Sequence, residues 1–119
     1  MWDVEYTDEF GLWWESLTET EQIDLSASVG LLETLGPNLP RPHADTVKGS
    51  RHTNMKELRT QSQGNPLRTF FAFDPRRCAI LLIGGDKTGD NRFYERMIPL
   101  ADRLYDKHLD ELRTEGILP

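Results

Sequence analysis

A chain of 119 residues is long enough for one domain with a real core and too short for two ordinary ones. Charged residues at 29% and aromatics at 9% fit a globular protein and exclude a disordered one. No apolar run approaches the roughly 18 residues of a membrane span, and the opening MWDVEYTDEF carries acids where a signal peptide carries bases, so a soluble, cytoplasmic protein is expected. The net charge of −6 is unevenly spread: residues 1–40 hold nine acids and no Lys or Arg, residues 41–100 eleven bases against six acids, and residues 101–119 three bases against five acids. An acidic total disfavours nonspecific nucleic-acid binding. The middle section can still present a basic face, or simply be neutralised by the acidic front.

Trp2, Val4 and Tyr6 alternate with Asp3 and Glu5, the period of a short half-buried strand. Thr7 or Asp8 then caps a helix whose apolar Phe10, Trp13, Trp14 and Leu17 fall at i, i+3, i+4 and i+7, a stripe that reads as core rather than as an aromatic recognition surface. Thr18 and Glu21 make a capping box for a second helix, with Ile23, Ala27, Gly30, Leu31 and Leu35 as its expected inward face and Gly36–Pro37 as its stop. Together they form an αα-hairpin. Pro37 to Ser50 is a proline-rich loop and not a domain boundary, because the remainder of the chain cannot form a core alone. The three histidines, His43, His52 and His108, lack metal-ligand spacing, so neither a metal site nor a cofactor is expected. The single Cys78, inside the apolar run CAILLI, reads as a small buried hydrophobe.

The segment Met55 to Pro99 carries the functional signal. Three strand-like runs separated by short polar turns lead into a Gly-rich loop and a helical pattern. A first turn at Ser62–Asn65 pairs Gln61 with Pro66 and sets Arg59 directly opposite Arg68, side chains on one face. A second turn at Asp74–Arg77 pairs Phe73 with Cys78 and Arg68 with Ile83. Arg59, Arg68 and Ile83 then form one row from which the chain enters Gly84, Gly85, Asp86 and Lys87, so three cations converge at one sheet end. Like charges directly opposite are unfavourable, and the arrangement asks for a compensating carboxylate or a bound anion; Glu57, Asp86 and Asp90 are the acids available for ordinary surface bridges. With no carboxylate between them, removing either arginine would leave stability unchanged or raised.

Leu58, Leu67, Phe71 and Phe73 share the opposite face, which is expected to receive the N-terminal helices, and the run Cys78 to Ile83, apolar on both sides, is expected to be covered twice. Asp90 is placed to cap a helix from Asn91 whose Tyr94, Ile98, Ala101, Tyr105 and Leu109 keep helical spacing through Leu112, with a kink or restart at Pro99. Its N-terminus beside Lys87 is a second reason to expect an anion.

These motifs carry a resemblance. MKELR, the strand PLRTFFAFDP, the loop GGDKTG and the terminal helix PLADRLY resemble the RelE/HigB branch of the RelE/ParE toxin superfamily, across nearly the whole chain. The resemblance implies a single α+β domain over residues 1–119, a small twisted antiparallel sheet packed by an N-terminal αα-hairpin with a C-terminal helix. It also implies a type II toxin that cleaves messenger RNA on the ribosome without a metal. The candidate catalytic residues are then Arg59, Arg68, Lys87 and Tyr94, and the candidate RNA-binding residues Arg92, Lys56 and His52. The implied partners are mRNA, the ribosome and a cognate helix-turn-helix antitoxin, with no membrane. Antitoxin contact is expected on residues 41–100, since the acidic front does not suit an acidic peptide.

Metal-free RNA cleavage uses the 2′-OH as nucleophile on the adjacent phosphate and needs cations for the developing dianion, a proton acceptor and a proton donor. Arginines suit phosphate by bidentate contact, Lys87 supplies a point charge or a base, and Tyr94 donates a proton or stacks on a base. Two other functions share the fold: a ParE-like toxin that binds DNA gyrase, and a toxin-fold protein retained for partner binding alone.

Overall fold

The structure, a computed structural model, describes all 119 residues. In chain order they form β1 (Val4–Tyr6), α1 (Asp8–Ser16), α2 (Glu19–Leu35), a 3-10 turn (Gly36–Asn38), β2 (Ala44–Thr46), β3 (Lys56–Ser62), β4 (Asn65–Phe73), β5 (Ala79–Asp86) and α3 (Phe93–Thr114). One sheet of order β1-β5-β4-β3-β2 separates α1 and α2 from α3. The α+β class is as expected, with one addition: β1 joins the edge parallel to β5, Val4 opposite Ala79 and Tyr6 opposite Leu81. No hairpin links these two strands, so nothing in the connection forces them to be antiparallel.

The N-terminal hairpin is fixed by its caps. Thr7 Oγ1 accepts the Phe10 N–H at 3.0 Å and donates to the Leu82 carbonyl at 2.7 Å, so one side chain both starts α1 and ties it to β5. Thr18 and Glu21 exchange hydrogen bonds of 3.1 and 2.9 Å at the start of α2. Phe10, Trp13, Trp14 and Leu17 pack on the sheet as core. The inward face of α2 differs from the sequence expectation: Leu25, Val29 and Leu32 face the sheet, while Ile23, Ala27, Leu31 and Leu35 are exposed. The helix carries two apolar stripes, and periodicity alone does not say which one the turn at Leu17–Thr18 will direct inward.

On the hairpin side of the sheet, Leu58, Phe71, Ala79 and Leu81 complete the core; on the other, Phe70, Ala72, Ile80 and Leu82 meet Phe93, Met97, Ala101, Leu104 and Tyr105 of α3. Strand β5 is therefore covered on both faces, as its unbroken apolar run predicts. Cys78 is buried, and burial pushes its thiol up to about 11.

The first hairpin has the expected register, Ser62 with Asn65, Gln61 with Pro66 and Arg59 with Arg68. Gln63 and Gly64 both have positive φ, the backbone of a two-residue turn that matches strand twist. The second connection is longer than expected. Asp74 accepts the N–H groups of Arg76 and Cys78, Arg77 adopts φ 67°, and Phe73 pairs with Ala79 instead of Cys78. A bulge between Phe70 and Phe71 adds a second slip, so Arg68 faces Gly85 and not Ile83. Two one-residue slips restore the alternation of faces, which is why the face assignments survive although the row does not.

Helix α3 begins at Phe93, two residues beyond the expected Asn91, because the Asp90 carboxylate holds the Arg92 N–H at 3.0 Å and keeps Asn91 and Arg92 in a turn. It runs unbroken to Thr114 with Pro99 inside, so the expected kink or restart is not needed to interrupt the helix. Proline forfeits one backbone hydrogen bond, and burial of Met97, Ala101 and Leu104 on either side of that gap holds the flanking turns. The loop before β3 is clamped to α3: Asp102 accepts from Ser50 Oγ and the Arg51 N–H, and Asp106 from Arg51 and His52. No helix is long and apolar enough to cross a membrane.

Candidate functional site

Strand alternation puts Glu57 and Arg59 on the α3 side of β3, and Arg68 stands across from Arg59 on β4. Glu57, only 5% exposed, is the carboxylate the facing arginines require. Its Oε1 lies 3.4 Å from Arg68 Nε and accepts the Tyr94 hydroxyl at 2.6 Å; its Oε2 lies 3.4 Å from Arg59 Nη2, which also reaches Asp45 at 3.3 Å. A position two residues before Arg59 is on the same strand face, so Glu57 is findable by period-2 counting. It is a buried hub and not the surface bridge expected of it. Asp86 instead accepts from Thr88, and Asp90 pairs with Arg96 at 2.8 Å.

The cluster retains unused donors. Arg68 Nη1 donates to the Leu67 carbonyl, while the Nε atoms of Arg59 and Arg68 are buried without an aligned hydrogen-bond acceptor. Glu57 is near enough to balance charge and poorly placed to satisfy those N–H groups. An unsatisfied buried donor costs about 1–3 kcal/mol, which any shift of these side chains toward an acceptor would recover.

Tyr94 projects from the first turn of α3. Burial, reinforced by Glu57 and opposed by Arg68, pushes its phenol above the ordinary value, so the hydroxyl is a proton donor. The ring packs edge-on against Phe70 and Phe93, and Lys87 Nζ lies 5.4 Å from its centroid. Lys87 is held there because its N–H continues the β4–β5 ladder onto the Pro66 carbonyl. Arg59, Arg68, Lys87 and Tyr94 thus gather around one sheet end, although the row runs through Gly85.

The glycines that precede Lys87 have a packing role. A Cβ on Gly84 would enter the Trp13 ring, and one on Gly85 would stand 2.9 Å from Phe93 Cε1. The pair lets α1 approach one face of β5 and α3 the other.

The three candidate RNA-binding residues are not drawn into this cluster. Lys56 lies on the opposite face of β3 by strand alternation. His52 is bound to Asp106 at 2.7 Å and packs edge-on against Tyr105, about three turns along α3 from Tyr94. Arg92 is exposed at the start of α3. The expected anion at that helix start is a carboxylate of the chain itself, Asp90.

Residues 12–106 match the family described as phage derived protein Gp49-like. The candidate toxin HigB2 of Mycobacterium tuberculosis (strain ATCC 25618 / H37Rv) is 49% identical over 85 residues, 70% of this chain, and the chain spans only 42% of HigB2's length. The candidate toxin HigB3 of the same strain is 46% identical over 98 residues, 82% of this chain and 84% of HigB3. The crystal structure of the isolated E. coli RelE toxin is similar in fold, with a TM-score of 0.55 at 11% identity, covering 82% of this chain and 96% of RelE. With most of its length inside that family and HigB3 matched over more than four fifths of both chains, the chain belongs to the Gp49-like family and to the HigB-like toxins, and it shares the RelE fold.

Proposed function

We propose that this protein is a metal-independent endoribonuclease that cleaves messenger RNA at the ribosome, and that a helix-turn-helix antitoxin restrains it. The observation that carries the reading is the meeting of Arg59, Arg68 and Tyr94 on the buried carboxylate of Glu57, with two guanidinium N–H groups left unpaired.

In this reading the 2′-OH attacks the adjacent phosphorus. A bond from phosphorus to O2′ forms, the bond to O5′ breaks, and the products are a 2′,3′-cyclic phosphate and a 5′-hydroxyl. Arg59 and Arg68 hold the non-bridging oxygens, where negative charge grows, and Lys87 adds a point charge beside them. Tyr94 gives its proton to the departing O5′. Glu57, which holds the Tyr94 hydroxyl at rest, takes the proton released by the 2′-OH as that hydroxyl turns to O5′, so one proton is taken up and one supplied.

The test is a translating extract supplied with the purified protein, with Mg2+ retained for the ribosome and 1,10-phenanthroline added to remove transition metals. Cleaved mRNA with cyclic phosphate ends is expected, and Arg68→Ala should slow it by about thirty-fold or more. Intact mRNA together with inhibited gyrase supercoiling would replace the nuclease by the gyrase-binding reading.

A further inference from the structure

Helix α2 is apolar on two sides, and the fold covers one. Leu25, Val29 and Leu32 meet the sheet; Ile23, Ala27 and Leu31 recur at i, i+4 and i+8 on the other side, with Leu35 a turn further on. Ile23 is 62% exposed, Leu31 39% and Leu35 41%. A helix apolar all round is ordinarily buried all round. Gly30 falls in the same exposed stripe by spacing, and the space its Cβ would occupy is open. With Ala27 it leaves the backbone of α2 approachable to the roughly 8–10 Å of close helix packing.

The surroundings of the stripe select its occupant. By helical spacing Glu19 borders one side and Asp24 the other, and residues 1–40 contain nine acids without a single Lys or Arg. A second copy of this face would set acid against acid, and nucleic acid would meet the same repulsion. The complementary object is an amphipathic helix with an apolar seam flanked by Lys or Arg. Through Ala27 and Leu31 the stripe runs into a groove lined also by Ser28, His43, Arg59 and Arg68. Whatever covers α2 therefore borders the guanidinium groups.

We propose that the exposed face of α2, from Ile23 to Leu35, docks a basic-flanked amphipathic helix of the antitoxin. This rests on the toxin–antitoxin reading, and it moves the expected antitoxin contact from residues 41–100 onto the N-terminal hairpin.

The probe is the product of the gene adjoining the one for this chain, purified and titrated against wild type and an Ile23→Lys/Leu31→Lys double variant. Loss of two buried anchors should weaken binding by about thirty-fold or more. Both positions are exposed, so the melting temperature should be unchanged. The variant should arrest growth like wild type when expressed alone, and continue to do so when the partner is co-expressed. Asp24→Lys with Glu19→Lys should weaken binding as well, more at low salt than at high. Wild-type affinity of the Ile23→Lys/Leu31→Lys variant overturns the docking surface and leaves the toxin–antitoxin reading intact. Failure of the neighbouring protein to bind wild type removes both. A wild-type dimer in sedimentation that the variant converts to monomer assigns the face to a second copy instead.

Discussion

Tyr94 donates its hydroxyl to Glu57 at 2.6 Å, joining the first turn of α3 to the second residue of β3. The same carboxylate lies 3.4 Å from both Arg59 and Arg68. The charge repulsion implied by the facing arginines is therefore already compensated, and the condition under which their removal would be harmless to stability is not met. Arg68 is the more enclosed, its side chain 11% exposed against 28% for Arg59, which has Asp45 as a second partner. Arg68→Ala should lower unfolding free energy by about 1–3 kcal/mol, and Arg59→Ala by less. Urea unfolding of the two variants checks the order. Glu57→Ala should be worse than either, since it leaves two guanidinium groups without their shared counter-charge and the phenol without its acceptor.

The activity of the arginines should behave as that of groups serving one phosphate. Each alanine substitution should cost about 2–4 kcal/mol of transition-state stabilisation, as loss of one oxyanion donor does, and the double variant less than the sum. Binding to RNA should also fall steeply with salt because phosphate contacts release counterions. Single-turnover cleavage of a ribosome-bound message measures all three. Growth arrest by both single variants at wild-type expression, with mRNA cleaved at normal rate, would take Arg59 and Arg68 out of the site.

The first hairpin is legible in the sequence because Gln63–Gly64 dictates a two-residue turn, and turn length fixes register. The second is not, because its length depends on the Asp74 carboxylate folding back onto Arg76 and Cys78, and the bulge after Phe70 has no mark in an apolar run. Arg59, Arg68, Lys87 and Tyr94 all stand out in the sequence, whereas Glu57 is there only one acid among three. Burial of a carboxylate is a property of what lies above it, here Tyr94 and α3, and strand period gives only its direction. The α2 stripe misleads for the converse reason: two faces fit the pattern equally, and tertiary placement chooses between them.

Acid should unfold the protein through the turn whose length the sequence hides. Asp74 has a fully enclosed side chain that accepts from Arg76 at 2.7 Å and His108 at 2.9 Å, while Arg76 also reaches Glu5 at 2.9 Å. Burial pushes its carboxyl upward, but the hydrogen bonds from Arg76, His108 and Cys78 outweigh it and hold the pKa below the ordinary value. Its contribution is thus complete above the unfolded value of about 3.9 and is lost as pH falls through the lower folded one. Asp74→Ala should cost about 3–5 kcal/mol at neutral pH. In Asp74→Asn the slope of stability against pH below about 4 should flatten relative to wild type, which acid titration followed by circular dichroism at fixed temperature will show.

Gly84 and Gly85 offer a test that separates packing from chemistry, because adjacent strand residues face opposite layers. Gly84→Ala presses a methyl group into Trp13 on the hairpin side; Gly85→Ala presses one against Phe93, whose ring is 1% exposed and has little room to swing. Overpacking of this kind costs about 1–3 kcal/mol, so both variants should melt lower than wild type. Their effects on cleavage should differ. Phe93 stacks on Phe70 and abuts Tyr94, and Gly85 itself pairs with Arg68, so displacement there moves the phenol and the guanidinium relative to each other. Gly84→Ala moves α1, which carries none of the site. Assayed well below both melting temperatures, Gly85→Ala should lose cleavage at least ten-fold, about 1.4 kcal/mol in barrier, while Gly84→Ala cleaves at close to the wild-type rate. Equal losses would mean that the loop, and not the alignment of Tyr94 with Arg68, governs activity.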